Sequence, residues 1–357
     1  MNIAILDYSM LQHVTTASVK KHQELNAVEG HMRCITQRMA EFLYSLQQTE
    51  KWDYLVIAKD SKPYWRSQYM KEWYKGNTHC IKHDGIVYWS AYNALYVEDD
   101  GKLNKVTKKA ATVILEEGTK TEFPEGFPFL KYKGNRPAKD YEWLDCAKED
   151  YFDLMARLPI VFTTLMGGAM VEAEGAEADD IAGILAAHAF KNGNKVTLVS
   201  GDSDWKQLVS FYPNATYINP FKDERVEGDE DGDVKKKLLV KIIGGDTGDN
   251  IRGCASTSKY GPVGEAAAKK VVEAADWGAV DSKYIALNKK LVRLHPDSIP
   301  EDVAKRIMES LANPPRTKEM PTWEMLGLTE RRRAELDLNS TASNVWSMIS
   351  DVKEITV

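Results

Sequence analysis

Through its N-terminal half the chain alternates short apolar runs with amphipathic stretches. Residues 2–6 and 54–58 are bounded apolar runs of the kind that form buried strands. Leu25, Val28, Met32, Ile35, Met39, Leu43 and Leu46 recur every three or four positions, which predicts a long amphipathic helix. Residues 141–158 predict a helix, 161–165 a strand, 177–191 a helix closed by Asn192-Gly193, and 195–200 another strand. This alternation predicts an α/β domain around a mostly parallel sheet. From about Leu238 strand-like runs give way to Ala-rich helical segments such as 265–275, and Pro314-Pro315 breaks the last part. The expected organisation is an α/β domain over 1–237 and a helical region over 238–357. Within the first, residues 78–130 read as a self-contained β insertion. Its β-type runs are 86–89, 94–97 and 111–115, parted by Asp99-Asp100-Gly101 and Glu117-Gly118.

A length of 357 residues, 43% hydrophobic and 28% charged, is ordinary for a globular protein of one large or two average domains. No apolar run approaches the ~20 residues that span a bilayer, so no membrane partner is expected. The stretch from Met1 to Asp7 has no basic start, which predicts no signal peptide and a cytoplasmic location. Cys34, Cys80, Cys146 and Cys254 show no pairing rhythm, as expected of a reducing compartment. The net charge of −6, from 47 basic and 53 acidic residues, taken alone disfavours a nucleic-acid partner. Net charge hides arrangement, however, and the acids are not scattered.

Asp7 closes the first predicted strand, Asp60 closes the second, and Asp202 and Asp204 directly follow a third. In an open α/β sheet ligands bind beyond the carboxyl ends of the strands, so these four acids should converge on one edge. Glu177 and Asp180 open a helix three residues apart and share a face; Asp246 and Asp249 repeat that spacing. Taken singly, each is an ordinary turn, cap or helix-dipole residue. Together they would repel one another and resist ionisation unless something cationic neutralised them. No Lys or Arg lies inside these motifs. Hard divalent cations, Mg²⁺ above all, are the natural solution. Two such ions about 4 Å apart can activate water and stabilise the leaving oxygen of a phosphodiester.

Six motifs, in order, resemble the 5′-nuclease (flap endonuclease) family, and in particular its bacteriophage 5′→3′ exonucleases of the T-even ribonuclease H type. They are Asp7; Asp60 with Trp65-Arg66; Tyr132-Lys133-Gly134-Asn135-Arg136-Pro137; Glu177-Ala178-Asp179-Asp180; Ser200-Gly201-Asp202-Ser203-Asp204; and Gly245-Asp246 through Asp249-Asn250-Ile251-Arg252-Gly253. The resemblance implies a PIN-like α/β domain with a helical arch, followed by a helix–three-turn–helix region. It implies two-metal hydrolysis leaving a 5′-phosphate and a 3′-hydroxyl. Asp7, Asp60, Glu177, Asp179 and Asp180 would serve one metal, Asp202 and Asp204 would lie between the two, and Asp246 and Asp249 would hold the second, partly through water. Mg²⁺ is the implied ion, with Mn²⁺ as a substitute and K⁺ at the helix–three-turn–helix.

The same resemblance makes Arg66, Lys133 and Arg136 phosphate contacts, the last two in the arch, where a 5′ single strand passes. Gly261 and Gly264, followed by Lys269 and Lys270, resemble the turn that presents backbone N–H groups to duplex phosphates. Trp73-Tyr74-Lys75-Gly76-Asn77 recurs as Lys131-Tyr132-Lys133-Gly134-Asn135 on the far side of the insertion, which adds Lys75 to the candidate contacts. His79, Cys80 and His83 lack a second cysteine pair at finger spacing and are read as solvated loop residues rather than a zinc site. Lys235-Lys236-Lys237 is a solvated loop or a contact with the DNA backbone. The expected activity is metal-dependent 5′→3′ exonuclease and flap endonuclease action that removes RNA primers in phage DNA replication. Expected partners are 5′-flap, nicked or RNA–DNA hybrid duplexes and a phage single-strand-binding or other replication protein, bound by a monomer. The alternatives are a PIN-type endoribonuclease, which would lack the arch and the glycine-bearing helical module, and a non-catalytic scaffold for branched DNA.

Overall fold

A computed structural model describes residues 1–21, 30–99, 102–127, 130–136, 140–229 and 232–338. Leu25, Val28, Asp100, Gly101 and Pro137 lie outside the described residues. The chain forms two compact units, one from described residues of Met1–Lys62, Lys139–Glu230 and Leu294–Val357, the other from those of Pro63–Ala138 and Asp231–Arg293. Neither unit is a continuous stretch, whereas the sequence suggested consecutive regions 1–237 and 238–357.

The first unit is built on a six-stranded sheet. Its order is Glu224–Glu227, Ala215–Asn219, Lys195–Val199, Asn2–Asp7, Tyr54–Lys59, Ala169–Glu172. Every pairing is parallel except that of Ala215–Asn219 with Glu224–Glu227, so the mostly parallel sheet is borne out. Alternation along Asn2–Asp7 sends Ala4 and Leu6 into a cluster with Leu11, Ile35, Leu43 and Phe162, contributed by the helices Tyr8–Lys21, His31–Glu50 and Lys148–Leu165. Helix Ala178–Lys191 packs across the three central strands.

The predicted helix 141–158 and strand 161–165 are in fact one helix, Lys148–Leu165, with Pro159 inside it. A proline there removes the N–H that would bond the carbonyl four residues earlier. That carbonyl, Met155 O, instead accepts the hydroxyl of buried Tyr8 at 2.7 Å. The apolar run 161–165 therefore continues the helix, and the strand lies further on, at Ala169–Glu172. Among the described residues no helix is long and apolar enough to cross a membrane.

The second unit holds a five-stranded antiparallel sheet in the order Lys102–Lys105, Ala94–Asp99, Ile86–Ala91, His79–His83, Thr119–Thr121. Residues 111–115, expected as a strand, belong to helix Lys108–Glu117. The Thr107 hydroxyl caps that helix, and Ala111 and Ile114 bury its inner face. The insertion is not self-contained. Its Trp89, Tyr92 and Tyr96 share one core with Tyr74, Ile243, Cys254 and Tyr284. Tyr92 stacks on Tyr284 at 4.5 Å, and its backbone N–H donates to the Tyr284 hydroxyl at 2.8 Å. A sheet face carrying this much aromatic surface needs a covering partner, and the helical part of the same unit supplies it. Lys235, Lys236 and Lys237 are exposed on helix Asp233–Gly244 rather than in a loop, with Lys236 paired to Glu273 at 3.4 Å. His79, Cys80 and His83 lie on a strand, not a loop, and alternation buries Cys80 on the face opposite the two histidines. All four cysteines are free thiols.

Candidate active site

In the first unit, register places Asp7 opposite Ala58 and Leu6 opposite Val199. The carboxyl ends of three adjacent strands thus deliver Asp7, Asp60 and the 200–204 turn to one edge, as expected. Asp7 accepts from Met10 N–H at 3.1 Å and from the Ser200 hydroxyl at 2.9 Å. Ser200 Oγ in turn accepts from Asp202 N–H at 3.0 Å, and Asp202 Oδ1 accepts from Asp204 N–H at 2.8 Å. This chain ties the third strand's acids to the first strand's. Asp60 accepts from the Ser9 hydroxyl and from Ala178 N–H, both at 2.7 Å, which joins the second strand to the start of helix Ala178–Lys191. Glu177, 1% exposed, caps that helix, and its N–H donates to Asp180, 0% exposed, at 3.0 Å. Two buried carboxylates at one helix N-terminus suit its positive end. Asp179 accepts the indole N–H of buried Trp205 at 2.7 Å, so it positions the 203–205 turn. Ser9 and Trp205 escaped the sequence reading, and Ser200, though inside a motif, was given no role there. The signal available was a Ser or Trp within two residues of a motif acid.

Electrostatics separates Asp7 from its neighbours. Burial above all, and then the Asp60 and Asp202 carboxylates, push its carboxyl up to about 7; the bonds from Met10 and Ser200 act the other way. No cationic side chain figures among these influences. The donor set is all carboxylate oxygen, which suits a hard cation. Among the described residues, however, no three His, Cys, Asp or Glu side chains are gathered closely enough to hold a metal ion as they stand. The oxygens are engaged by hydroxyl, amide and indole donors that an ion would have to replace.

Asp246 and Asp249 lie in the second unit, and there the expectation of uncompensated acids fails. Asp246 pairs with Lys241 at 2.7 Å. Asp249 pairs with Arg136 at 2.6 Å, has Lys133 at 3.9 Å, and accepts the Tyr132 hydroxyl at 2.9 Å. Gly245 makes the loop possible. Its φ of +81° and the Gly253 N–H, 2.4 Å from where a Cβ would sit, exclude a side chain at the turn that leads into Asp246. Of the compensating cations, Lys133 and Arg136 lie more than a hundred residues upstream and left no local trace, whereas Lys241, five residues before Asp246, was a local signal that went unread.

Of the expected nucleic-acid contacts, Lys133 and Arg136 lie in turn rather than helix. Lys133 Nζ sits 5.4 and 5.2 Å from the Tyr64 and Tyr132 ring centroids. Arg66 is not presented to solvent: it is 1% exposed, its Nε donates to the Leu291 carbonyl at 2.9 Å, and it lies over Trp65. Lys75 is exposed near the end of helix Trp65–Asn77. Gly264 caps helix Glu265–Ala274 after the turn at Gly261, φ +109°. On that helix Lys269 pairs with Glu265 at 2.8 Å, and Lys270 is exposed.

Comparison with known proteins bears on this arrangement. Residues 102–238 match the family described as 5′-3′ exonuclease, N-terminal resolvase-like domain. Ribonuclease H of Enterobacteria phage T4 is 25% identical over 219 residues, covering 56% of this chain and 70% of that protein. Over these residues the chain is similar to 5′-nucleases. The family match begins inside the β insertion. Thermostable DNA polymerase I of Thermus filiformis is 34% identical over 140 residues, 38% of this chain; the chain spans only 15% of that polymerase. The T5 D15 protein co-crystallised with metal ions superposes with a TM-score of 0.51 at 15% identity, over 87% of this chain and 98% of that one, which shows a common fold.

Proposed function

We propose that this chain is a 5′-nuclease, a metal-dependent 5′→3′ exonuclease and flap endonuclease that hydrolyses phosphodiesters at the 5′ ends of RNA–DNA hybrid, nicked or flapped duplexes. The observation that carries the reading is Asp7, a buried carboxyl held near 7 by burial and by Asp60 and Asp202 at the joint edge of three strands. A site that gathers carboxylates around a buried acid raised in this way suits a divalent cation. Asp7, Asp60, Glu177, Asp180, Asp202 and Asp204 are the residues that would hold Mg²⁺, or Mn²⁺ in its place. Bound there, the metal supplies a lowered water pKa and charge stabilisation at the phosphorus. The chain's own contribution is positional. Ser200 and Ser9 fix the Asp7 and Asp60 carboxylates, Trp205 bonds Asp179, and the first N–H of helix Ala178–Lys191 donates to Asp60. The names of the T4 and T5 relatives, ribonuclease H and flap endonuclease, support the substrate class. Primer removal in DNA replication follows as the role.

The test compares labelled RNA–DNA hybrid, nicked duplex and 5′-flap with Mg²⁺, and repeats each in EDTA. Cleavage from the 5′ end that EDTA abolishes is expected. Robust cleavage in EDTA, or none on any substrate with Mg²⁺, would overturn the proposal.

A further inference from the structure

The second unit contains a groove of about 840 Å³ in which Lys75 and Lys131, from the two echoed strings, meet residues of the insertion that no motif of the resemblance includes. One wall is helix Trp65–Asn77, which presents Lys71 and Lys75 one turn apart; the other is the insertion's last strand and the loop after it, which bring Lys120 and Phe123. Lys131 and Phe127 close it. All four lysines are exposed, and among the described residues none is ion-paired to a carboxylate. Glu122 and Glu125 also line the groove, so its acids do not balance its lysines. Phe123 and Phe127 are half-buried and meet edge to face at 5.4 Å.

Four unpaired ammonium groups around one concavity repel each other unless an anion of matching length lies among them. Clustered cations beside aromatic rings are the means by which single strands are held whatever their sequence, the lysines on phosphates and the rings on bases. Phe123 and Phe127 pack against the aromatic core, Phe127 on Trp89 at 6.1 Å, and also line the groove, where an unpaired base has a ring face to meet and a duplex, whose base faces are hidden, does not. We propose that this groove, half of it built by the insertion, binds a single-stranded stretch of nucleic acid. The choice of ligand rests on the nuclease reading. The field is already felt locally: His79, beside Lys120, is held below the usual imidazole range by burial first and then by Lys120 and Lys283.

The test measures binding rather than cleavage. Fluorescein-labelled oligo-dT of twenty nucleotides is titrated with the full chain in EDTA, by anisotropy, at several salt concentrations. Lys71→Glu/Lys120→Glu should weaken binding about tenfold or more. Loss of two phosphate contacts should also lower the slope of log K against log salt by about 1.4, at roughly 0.7 per contact on a single strand. Lys71→Arg/Lys120→Arg should restore both. Unchanged affinity and slope in the charge-reversed protein would overturn the proposal. So would displacement of the oligonucleotide by poly-glutamate at equal charge concentration, which would make the groove a site for acidic peptides. Cleavage of nicked duplex by the unaltered protein with Mg²⁺ is scored separately. Its failure would strike the nuclease reading and leave the binding result standing.

Discussion

In the first unit Asp7 and Asp60 are held by neutral donors: two serine hydroxyls and two backbone N–H groups. In the second, Asp246 and Asp249 face Lys241 and Arg136 directly. All four are aspartates of the same ordered set of motifs, yet their charged surroundings differ. A carboxylate already paired with a guanidinium gains little from a cation that must first displace the partner. One kept near 7 by burial and then by its neighbours gains a great deal, and gives up a proton on binding. An ion would therefore be held more strongly by the first unit's acids. Asp246 and Asp249 are acids whose availability depends on releasing Lys241, Arg136 and Lys133.

The largest effect should come from the first unit. Asp202→Asn keeps size and hydrogen bonding but removes the exposed charge that the 200–204 turn presents. Turnover on a nicked duplex should fall about 10³-fold or more, ~4 kcal/mol. Near-normal turnover would mean that the metal site lies elsewhere.

Asp7→Asn probes the same charge without a substrate. A buried acid whose folded pKa is about 7, against 3.8 unfolded, carries no penalty below pH 4 and its full penalty above 7. Metal-free stability should therefore rise as pH falls from 8 to 5. Each tenfold change in an ionisation constant between the folded and unfolded chain is worth about 1.4 kcal/mol. Asp7→Asn should accordingly be more stable than the unaltered protein by roughly 4 kcal/mol at pH 8, and by much less near pH 4. Denaturant unfolding in EDTA at the two pH values measures it. A variant less stable at pH 8 would show that Asp7 is already compensated.

What the sequence made legible follows from range. Strand ends and the Glu177 cap are local patterns, and Asp7, Asp60, Glu177, Asp180, Asp202 and Asp204 came together as those patterns implied. Long-range pairings left no local trace. Arg136 on Asp249, Tyr8 on the carbonyl freed by Pro159, and Arg66 turned inward to Leu291 each join residues more than a hundred positions apart. The apolar runs 111–115 and 161–165 were misjudged because short buried runs read alike as strand or helix. The insertion looked independent because its hairpins are local, while the aromatic face that binds it to the helices is visible only once folded.

The echoed strings sharpen the second unit's side of the comparison. Lys75 sits near the end of a helix and Lys133 in a turn beside Asp249, so the two copies do not share a conformation. If the second copy grips the scissile strand, Lys133→Ala should slow single-turnover cleavage of a 5′-flap by tenfold or more, from the loss of ~1.5–3 kcal/mol of charge-assisted bonding. Lys75→Ala should cost less. The reverse order would move the working contact to the first copy.

The smallest effect belongs to Lys241 and Asp246. Their side chains are 27% and 15% exposed, so the pair is partly screened, and a double-mutant cycle to Ala in EDTA should give a coupling of about 0.5–1 kcal/mol. The same cycle in Mg²⁺ decides what the pair is for. If Asp246 turns to an ion, Lys241 loses its partner and the coupling should fall toward zero, while Asp246→Ala alone weakens metal binding measured by calorimetry. A coupling unchanged by Mg²⁺, with metal affinity intact in Asp246→Ala, would make the pair a structural clasp of the loop after Gly245. The ion chemistry would then belong to the first unit's carboxylates alone.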